Sequence, residues 1–322
     1  MNLLIIFLIV ISIILSFFFH IRKRKKISSP PRQKTPSIPK EMQKEIPDLK
    51  DKYVDLLRKM IGSLSHNYKD IQVIEKGGMG LIAKAYDKER KRNVAIKTIL
   101  PELKDDTGVV EMFLQECQII QAMNHPNIVR IFDVGKTDQL YYYAMDFLEG
   151  ESLQDRIDRE KKLDVRETVK IGTQIARALQ HIHSNGLVHR DIKPSNIFIT
   201  LNQISKIIDF GIAKMLNSKA VFTYSSVGSP VYASPEQIQG ENVTGKSDIY
   251  SLGVCLFYCL TGEHPFTSSD ILAKMFETPK NLREYNLDIP ESLILSIELC
   301  MDTDPKKRLP THELWARLRV LQ

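Results

Sequence analysis

VHRDIKPSNIFI, residues 188–199, is the most informative segment of this 322-residue chain. Its charged and amide side chains stand between apolar residues, and a second such segment, IIDFGIA, follows at 207–213. An isolated aspartate or lysine is usually only part of a solvated surface. The meaning of Asp191 and Lys193 therefore depends on what else the chain contains.

A glycine-rich turn lies towards the N-terminus, in VIEKGGMGLI at 73–82. Glycines between two apolar runs are typical of backbone that wraps around a phosphate, although a plain flexible hairpin has the same composition. VAIK follows at 94–97, and Glu116 lies inside a helical pattern 19 residues after Lys97. A lysine between apolar neighbours needs a carboxylate partner, and such a pair would aim the ammonium group at nucleotide phosphates.

The hydrophobic pattern from residue 68 onwards predicts short strands, one helix and then a long, mainly helical half. A helix at 108–123 interrupts the predicted strands, which cover 69–75, 81–87, 92–99, 129–135 and 140–146. By themselves these elements indicate a small antiparallel sheet joined to a helical lobe.

Together the motifs resemble the eukaryotic-type (Hanks-type) serine/threonine protein kinase domain, over residues 68–321. SPE at 234–236 and SDIYSLG at 247–253 complete the set in the order that the family has. The sequence GGMG at 77–80 is typical of the bacterial branch of this family. The resemblance implies an α+β, bilobal fold at 67–322, with an antiparallel sheet and one long helix in the small N-lobe and a larger, mainly helical C-lobe.

The glycine turn departs from the family pattern GxGxxG at its first position, where this chain has Glu75. Gly77 and Gly80 match the pattern, and Gly78 adds another residue without a Cβ atom. The resemblance therefore implies a loop that still approaches the phosphates of ATP. The carboxylate of Glu75 either faces solvent or weakens ATP binding by repulsion, and the sequence leaves both interpretations open.

The resemblance also implies roles in phosphoryl transfer, a reaction that depends on positioning and charge neutralisation. Lys97, braced by Glu116, would bind the α- and β-phosphates. Asp191 would accept or orient the proton of the substrate hydroxyl, and Lys193 would neutralise the transferred γ-phosphate.

Two cofactors follow from the same resemblance, namely ATP and Mg²⁺. Asp209 and Asn196 would hold the metal ions, because Mg²⁺ prefers oxygen ligands. The backbone at 146–148 would bind the edge of the adenine. Apolar side chains of both lobes would enclose the base: Ile82, Ala95, Met145 and Phe198.

The acceptor is expected to be a serine or threonine of a protein, because two residues match the pattern of serine/threonine kinases. These are Lys193 in HRDIKPSN and Ser229 in GSPVYASPE, where such kinases have a Thr or Ser. Glu236 and Arg308 match a pair that anchors the helical lobe, and Asp248 matches a residue that supports the catalytic loop.

Arg190 precedes Asp191, the arrangement in which an arginine can receive a phosphate on the activation loop. The loop at 212–228 offers Thr223, Ser225 and Ser226, with Tyr224 less favoured.

An apolar run, LLIIFLIVISIILSFFF at 3–19, stands near the N-terminus. Seventeen helical residues reach roughly 26 Å, close to a hydrocarbon core of about 30 Å, so a transmembrane anchor is predicted at 1–21. A cleaved signal peptide is the competing interpretation, but no Lys or Arg precedes Arg22 and no alanine precedes Ala83. RKRKK at 22–26 predicts a cytoplasmic kinase domain.

Residues 22–49 are predicted to be a basic, proline-rich juxtamembrane linker that attracts anionic lipid headgroups. The next segment, 50–66, has the pattern of an amphipathic helix that packs on the domain or serves self-association. Residues 1–45 hold most of the excess positive charge, and the rest of the chain has 36 basic and 37 acidic residues. Binding to nucleic acid is therefore not expected.

The four cysteines have no CxxC spacing and lie in apolar helical contexts, which predicts buried, reduced thiols.

Two other functions remain as alternatives to a protein kinase. A membrane-tethered pseudokinase scaffold has Glu75 as its only support, against intact Lys97, Asp191, Asn196 and Asp209. A small-molecule phosphotransferase of related fold is disfavoured by the peptide-docking sequence GSPVYASPE.

Overall fold

The computed structural model describes residues 61–76, 80–99, 103, 105–137, 140–210, 230–267, 277–285 and 288–322. All of them belong to one compact unit. The predicted anchor at 1–21, the linker at 22–49 and the loop at 212–228 lie outside the described residues. Within the described ranges, no helix is long and apolar enough to cross a bilayer.

The N-lobe contains a five-stranded antiparallel sheet in the order β1-β2-β3-β5-β4. Side chains of β2 alternate between buried and partly buried positions, which places one face of the sheet against the core. The strands are β1 (Tyr68–Lys76), β2 (Gly80–Asp87), β3 (Arg92–Ile99), β4 (Ile131–Lys136) and β5 (Tyr141–Asp146). Each predicted strand is confirmed, with ends that differ by at most two residues.

One long helix, α1 (Thr107–Ala122), stands between β3 and β4. Asp106 caps it, because its side chain accepts a hydrogen bond from the Val109 backbone N–H. The buried side chains of α1 recur every three or four residues and give the helix a single face for packing: Phe113, Glu116, Cys117 and Ile120. The helix predicted at 108–123 is confirmed.

The C-lobe is mainly helical, as predicted. The helix α5 is buried on nearly every side and forms the centre of this lobe. The helices are α2 (Leu153–Glu160), α3 (Val165–Ser184), α4 (Pro235–Gln239), α5 (Gly245–Thr261), α6 (Glu291–Cys300) and α7 (Thr311–Val320).

A second, small sheet joins β6 (Gly150–Ser152), β7 (Ile197–Thr200) and β8 (Ser205–Ile207) in that order. The sequence did not predict it, because strands of three or four residues are too short to display a period of two. This sheet positions the site, since β7 directly follows Asn196 and Asp209 lies two residues after β8.

A buried ion pair anchors the C-lobe. Arg308 is 1% exposed, and its two terminal nitrogens lie 2.7 and 2.8 Å from the two carboxylate oxygens of Glu236. Ser247 Oγ donates a further hydrogen bond of 2.6 Å to Glu236 Oε1. Such bidentate geometry offsets the cost of burying both charges. The predicted pairing of Glu236 and Arg308 is confirmed.

The end of the predicted helix at 50–66 lies against the N-lobe. Residues 61–64 are helical, and Leu64 is buried. Lys88 Nζ donates a hydrogen bond of 2.7 Å to the Ser65 carbonyl. The described part of this segment therefore packs on the domain.

The prediction for the cysteines is also confirmed, since all four are buried and free.

Candidate active site

Lys97 lies on β3, near the middle of the large sheet, between Ile82 of β2 and Tyr143 of β5. Its Nζ is 3.0 Å from Glu116 Oε1 and 3.0 Å from Asp209 Oδ1. The packing face of α1 brings Glu116 to this point, and the segment after β8 brings Asp209. The structure thus joins three residues that are far apart in the sequence.

Burial and charge act against each other in this group. Burial raises the pKa of Glu116 to about 8, and Asp209 adds to the rise, whereas the charge of Lys97 opposes it. Burial alone would lower the pKa of Lys97, but Asp209 and Glu116 outweigh it and hold this pKa well above its usual value. Lys97 therefore stays cationic at neutral pH, and its charge limits the rise in the pKa of Glu116.

The segment between α3 and β7 brings together Asp191, Lys193 and Asn196. A short 3-10 turn, Pro194–Asn196, folds the chain back on itself. Asn196 Nδ2 then donates to the carbonyl of Asp191 at 2.8 Å and to its Oδ2 at 2.9 Å. Lys193 Nζ lies 3.0 Å from the same Oδ2. The carboxylate of Asp191 is consequently held in one orientation by its own loop.

Asp248, at the first turn of α5, supports this loop from below. Its side chain is fully buried and accepts hydrogen bonds from the backbone N–H groups of His189 and Arg190, at 2.9 and 2.8 Å. His183 Nε2 lies 2.8 Å from the same carboxylate. The role predicted for Asp248, support of the loop that carries Asp191, is confirmed.

The backbone of Arg190 adopts a left-handed conformation, with φ at 69°. Such a conformation is unfavourable for a residue with a Cβ atom and persists only where neighbours fix it. Asp248 fixes the N–H group, and Gln237 Nε2 donates to the carbonyl at 2.9 Å. The hydrogen bonds on both sides of Arg190 explain how the strained turn is maintained.

The four apolar residues predicted around adenine lie on strands of the two sheets. Ala95 and Met145 are neighbours across β3 and β5 and are buried, whereas Ile82 and Phe198 are partly exposed. The Asp146 backbone N–H already donates to the carbonyl of Arg130 at 3.0 Å. That group of the 146–148 backbone is therefore engaged within the protein.

The glycine turn is described at Gly80 but not at Gly77 and Gly78, which lie outside the described residues. A Cβ atom on Gly80 would stand 1.9 Å from the carbonyl oxygen of Thr98 on β3. Sheet packing by itself thus requires a glycine here. Glu75 lies on β1 opposite Ile82 and is exposed to solvent.

Comparison with known proteins identifies the fold family. The sequence profile of the protein kinase domain matches residues 68–317. The chain belongs to the protein kinase family.

Similar proteins place this kinase on the bacterial serine/threonine branch. A probable serine/threonine-protein kinase of Clostridium perfringens is 36% identical over 261 residues, which cover 78% of this chain and 38% of that protein. Serine/threonine-protein kinase PrkC of Bacillus subtilis is 38% identical over 256 residues, covering 78% and 39% of the two chains. For serine/threonine-protein kinase PknB of Mycolicibacterium smegmatis the identity is 32% over 259 residues, covering 77% and 41%. This kinase chain therefore spans about two fifths of the length of these curated relatives.

Sequence reasoning missed three residues that the structure places at or near the kinase site. Tyr143 donates a hydrogen bond to Glu116, Gln237 binds the backbone of Arg190, and His183 contacts Asp248. The register of β3 against β5 was the available signal for Tyr143, because it puts this residue opposite Lys97. Gln237 and His183 have no comparable signal, since their contacts join elements far apart in the sequence.

Proposed function

We propose that this chain is an ATP-dependent serine/threonine protein kinase that transfers the γ-phosphoryl group of ATP to Ser or Thr hydroxyls of proteins. The observation that carries the proposal is the position of Lys97 Nζ, 3.0 Å from both Glu116 and Asp209. In a protein kinase this lysine must be paired with the helix glutamate before phosphates can be placed correctly. A scaffold without catalytic activity would have no need of that arrangement, so the pseudokinase alternative is not favoured.

The residues around Asp191 would carry out the chemistry. The substrate hydroxyl oxygen attacks the γ-phosphorus, the bond between this phosphorus and the bridging oxygen breaks, and ADP leaves. Asp191 accepts or orients the proton that the hydroxyl loses. Lys193, 3.0 Å from Asp191 Oδ2, is close enough to place positive charge beside the group in transfer.

Mg²⁺ fits the oxygen atoms that this site offers. The amide nitrogen of Asn196 is held by Asp191, which leaves its carbonyl oxygen as a ligand atom. The pKa of Asp209 is below its usual value because Lys97 and a hydrogen bond to Glu116 outweigh the effect of burial, so Asp209 is an anion at neutral pH. When bound, Mg²⁺ neutralises charge on the β- and γ-phosphates.

The described residues contain no group of three or more His, Cys, Asp and Glu side chains placed to hold a metal. Mg²⁺ is usually bound through one or two protein ligands, with the remaining ligands supplied by phosphates and water.

The ATP site would be completed by the glycine turn and the four apolar residues. Gly77, Gly78 and Gly80 provide backbone without Cβ atoms near the phosphates. Ile82 and Phe198, which are partly exposed and belong to different sheets, would contact the two faces of adenine, with Ala95 and Met145 beside it.

Transfer of labelled phosphate tests the proposal. Wild-type protein with radiolabelled ATP, Mg²⁺ and a generic protein acceptor should yield phosphoserine or phosphothreonine. An Asp209→Ala variant should yield neither, because the metal ligand is lost. Label in the wild type equal to that in the variant would refute a kinase and support the scaffold. Phosphotyrosine alone would refute the acceptor class.

We also infer that the kinase acts at the cytoplasmic face of a membrane. The apolar run at 3–19 and the basic run at 22–26 support a single-pass anchor with this orientation. Anchored molecules are concentrated in two dimensions, which favours self-association and phosphorylation of one copy by another. Protease added outside spheroplasts should spare the kinase domain, and deletion of 1–27 should release it from membranes. Digestion of the domain from outside would reverse the orientation.

A further inference from the structure

Tyr143 adjoins Lys97 and Glu116 but has no role in the phosphoryl transfer described under the proposed function. It lies on β5 directly opposite Lys97 of β3, and its side chain is fully buried. Its hydroxyl donates a hydrogen bond of 2.9 Å to Glu116 Oε1. This is the same oxygen that receives the bond from Lys97.

The ring of Tyr143 makes two further contacts with the same group. Its centroid is 5.2 Å from that of Phe113, which lies one turn before Glu116 on α1. Lys97 Nζ stands 5.7 Å from the ring centroid, within the range of an attractive cation–π contact. One side chain therefore contacts the helix at two points and the lysine at a third.

The hydroxyl of Tyr143 remains a hydrogen-bond donor throughout the working pH range. Burial raises its pKa well above the usual value, and the neighbouring Glu116 raises it further. Without this donor, Oε1 of the buried Glu116 would retain Lys97 as its one donor among the described residues. A carboxylate with two donors on one oxygen has fewer orientations available than one with a single donor.

We propose that Tyr143 is a positioning residue that fixes α1 and the Glu116 carboxylate so that Lys97 is held ready for the phosphates of ATP. The inference rests on the proposed kinase function and adds a residue to its machinery. Tyr143 would act through Glu116 and would touch neither ATP nor the protein acceptor.

A double-mutant cycle tests the proposed coupling. Tyr143→Phe removes the hydroxyl and keeps the ring, and it should lower kcat/KM for ATP by up to about tenfold, the size expected for a lost buried hydrogen bond. In a Glu116→Ala background the acceptor is already gone, so the same substitution should then cost less than about twofold. Equal losses in the two backgrounds would mean that the hydroxyl serves general packing, and would overturn the proposal.

Tyr142→Phe provides the matched control. It removes one hydroxyl from the preceding position of β5, whose side chain points to the opposite face of the sheet and packs on Tyr68. Its effect on kcat/KM should be the same with and without Glu116. A coupling to Glu116 as large as that of Tyr143 would show that any hydroxyl lost from this strand has the same consequence.

Hydrogen exchange separates this proposal from the proposed function, because it needs no phosphoryl transfer. Amides of α1 should exchange several-fold faster in Tyr143→Phe than in the wild type or in Tyr142→Phe. Unchanged exchange in α1 would refute the positioning role even in an active kinase. Faster exchange in a protein that transfers no phosphate would support the contact and refute the kinase activity.

Discussion

Asp191 receives hydrogen bonds from two side chains of its own loop, so a change at this position can separate proton transfer from loop structure. Asp191→Asn keeps one side-chain oxygen for Lys193 and Asn196 but removes the basic group. We expect kcat to fall by about 10²- to 10⁴-fold, the usual contribution of general acid–base catalysis, with ATP affinity unchanged. Stopped assays of phosphate transfer and a fluorescent ATP analogue would measure the two quantities. Turnover within tenfold of the wild type would remove Asp191 from the proposed role.

Glu75 replaces the first glycine of the family pattern, and its exposure indicates which of the two earlier interpretations applies. In solvent, the repulsion between a carboxylate and another charge is only about 1 kcal/mol at 4 Å, and it falls further with distance and with salt. We therefore expect Glu75→Gly to change KM for ATP by less than about twofold. The measurement is a titration of ATP at fixed acceptor. A KM several-fold lower in the variant would show that Glu75 does repel the phosphates.

The β2–β3 hairpin depends on Gly80 for a reason apart from nucleotide binding. Because a Cβ atom would stand 1.9 Å from the Thr98 carbonyl, Gly80→Ala must push the two strands apart. We expect a loss of about 1–3 kcal/mol in the free energy of unfolding, as for other overpacked sites. Urea denaturation would measure it. Gly62→Ala is the control, since a Cβ atom there has no neighbour within 4 Å, and it should leave stability unchanged or raise it. Equal stability in both variants would contradict the packing argument.

The pair between Glu236 and Arg308 joins the start of α4 to the segment before α7 and should make the stability of the C-lobe depend on pH. The pKa of Glu236 is below its usual value because hydrogen bonds from Arg308 and Ser247 outweigh the effect of burial. A lowered pKa contributes stability above the unfolded value of about 4.3, and that contribution is lost as the pH falls through the folded value.

Glu236→Gln should therefore cost about 3–5 kcal/mol at pH 7, where it leaves a buried arginine unpaired. The cost should begin to shrink below about pH 4, where the carboxyl of the unfolded chain takes up a proton, and should shrink further as the pH falls through the lowered pKa of the folded protein. The exposed pair of Glu313 and Arg317 supplies the comparison, and Glu313→Gln should cost less than about 1 kcal/mol at any pH. A cost for Glu236→Gln that stays constant from pH 7 to pH 3.5 would argue against the ion pair.

Much of the molecule was predictable because its strongest signals are local in sequence. The strands of the N-lobe and α1 have clear periodicity, so their ends were predicted to within two residues. The pairing of Lys97 with Glu116 followed from the apolar neighbours of Lys97 and from the resemblance to the family, whereas the contact between Lys97 and Asp209 was not predicted. The small sheet of β6, β7 and β8 was not predictable, because strands of three or four residues are too short to show the alternation of buried and exposed side chains.

Contacts between individual side chains of different elements could also not be predicted from the sequence. A tyrosine in an apolar strand is ordinarily a core residue, and nothing in YYYAMD distinguishes Tyr143 from Tyr142 without the register of β3 against β5. The same holds for Gln237, whose hydrogen bond to Arg190 spans 47 positions. The fold decides whether a polar side chain is buried and which partner its hydrogen bond then finds, so neither can be predicted from the neighbouring residues in the sequence.

Regulation of the whole chain is expected to depend on Arg190. Its backbone is held by Asp248 and Gln237, but its side-chain Nε is buried and has no hydrogen-bond partner among the described residues. A buried donor without an acceptor costs free energy, which a phosphate oxygen would recover. Phosphorylation adds about −1.5 to −2 charges and three acceptor oxygens that suit a guanidinium group. The sequence places candidate hydroxyls at 223–226.

We therefore predict that active kinase carries a phosphate within 223–226, on Thr223 first, and that Lys97→Ala protein carries none. Peptide mapping by mass spectrometry would measure this. A triple alanine variant of Thr223, Ser225 and Ser226 should lose activity in the wild-type background. In an Arg190→Ala background the same triple change should have no further effect, because the phosphate has lost its partner. Undiminished activity of the triple variant in the wild-type background would exclude control through this contact, and so would full activity of enzyme without loop phosphate.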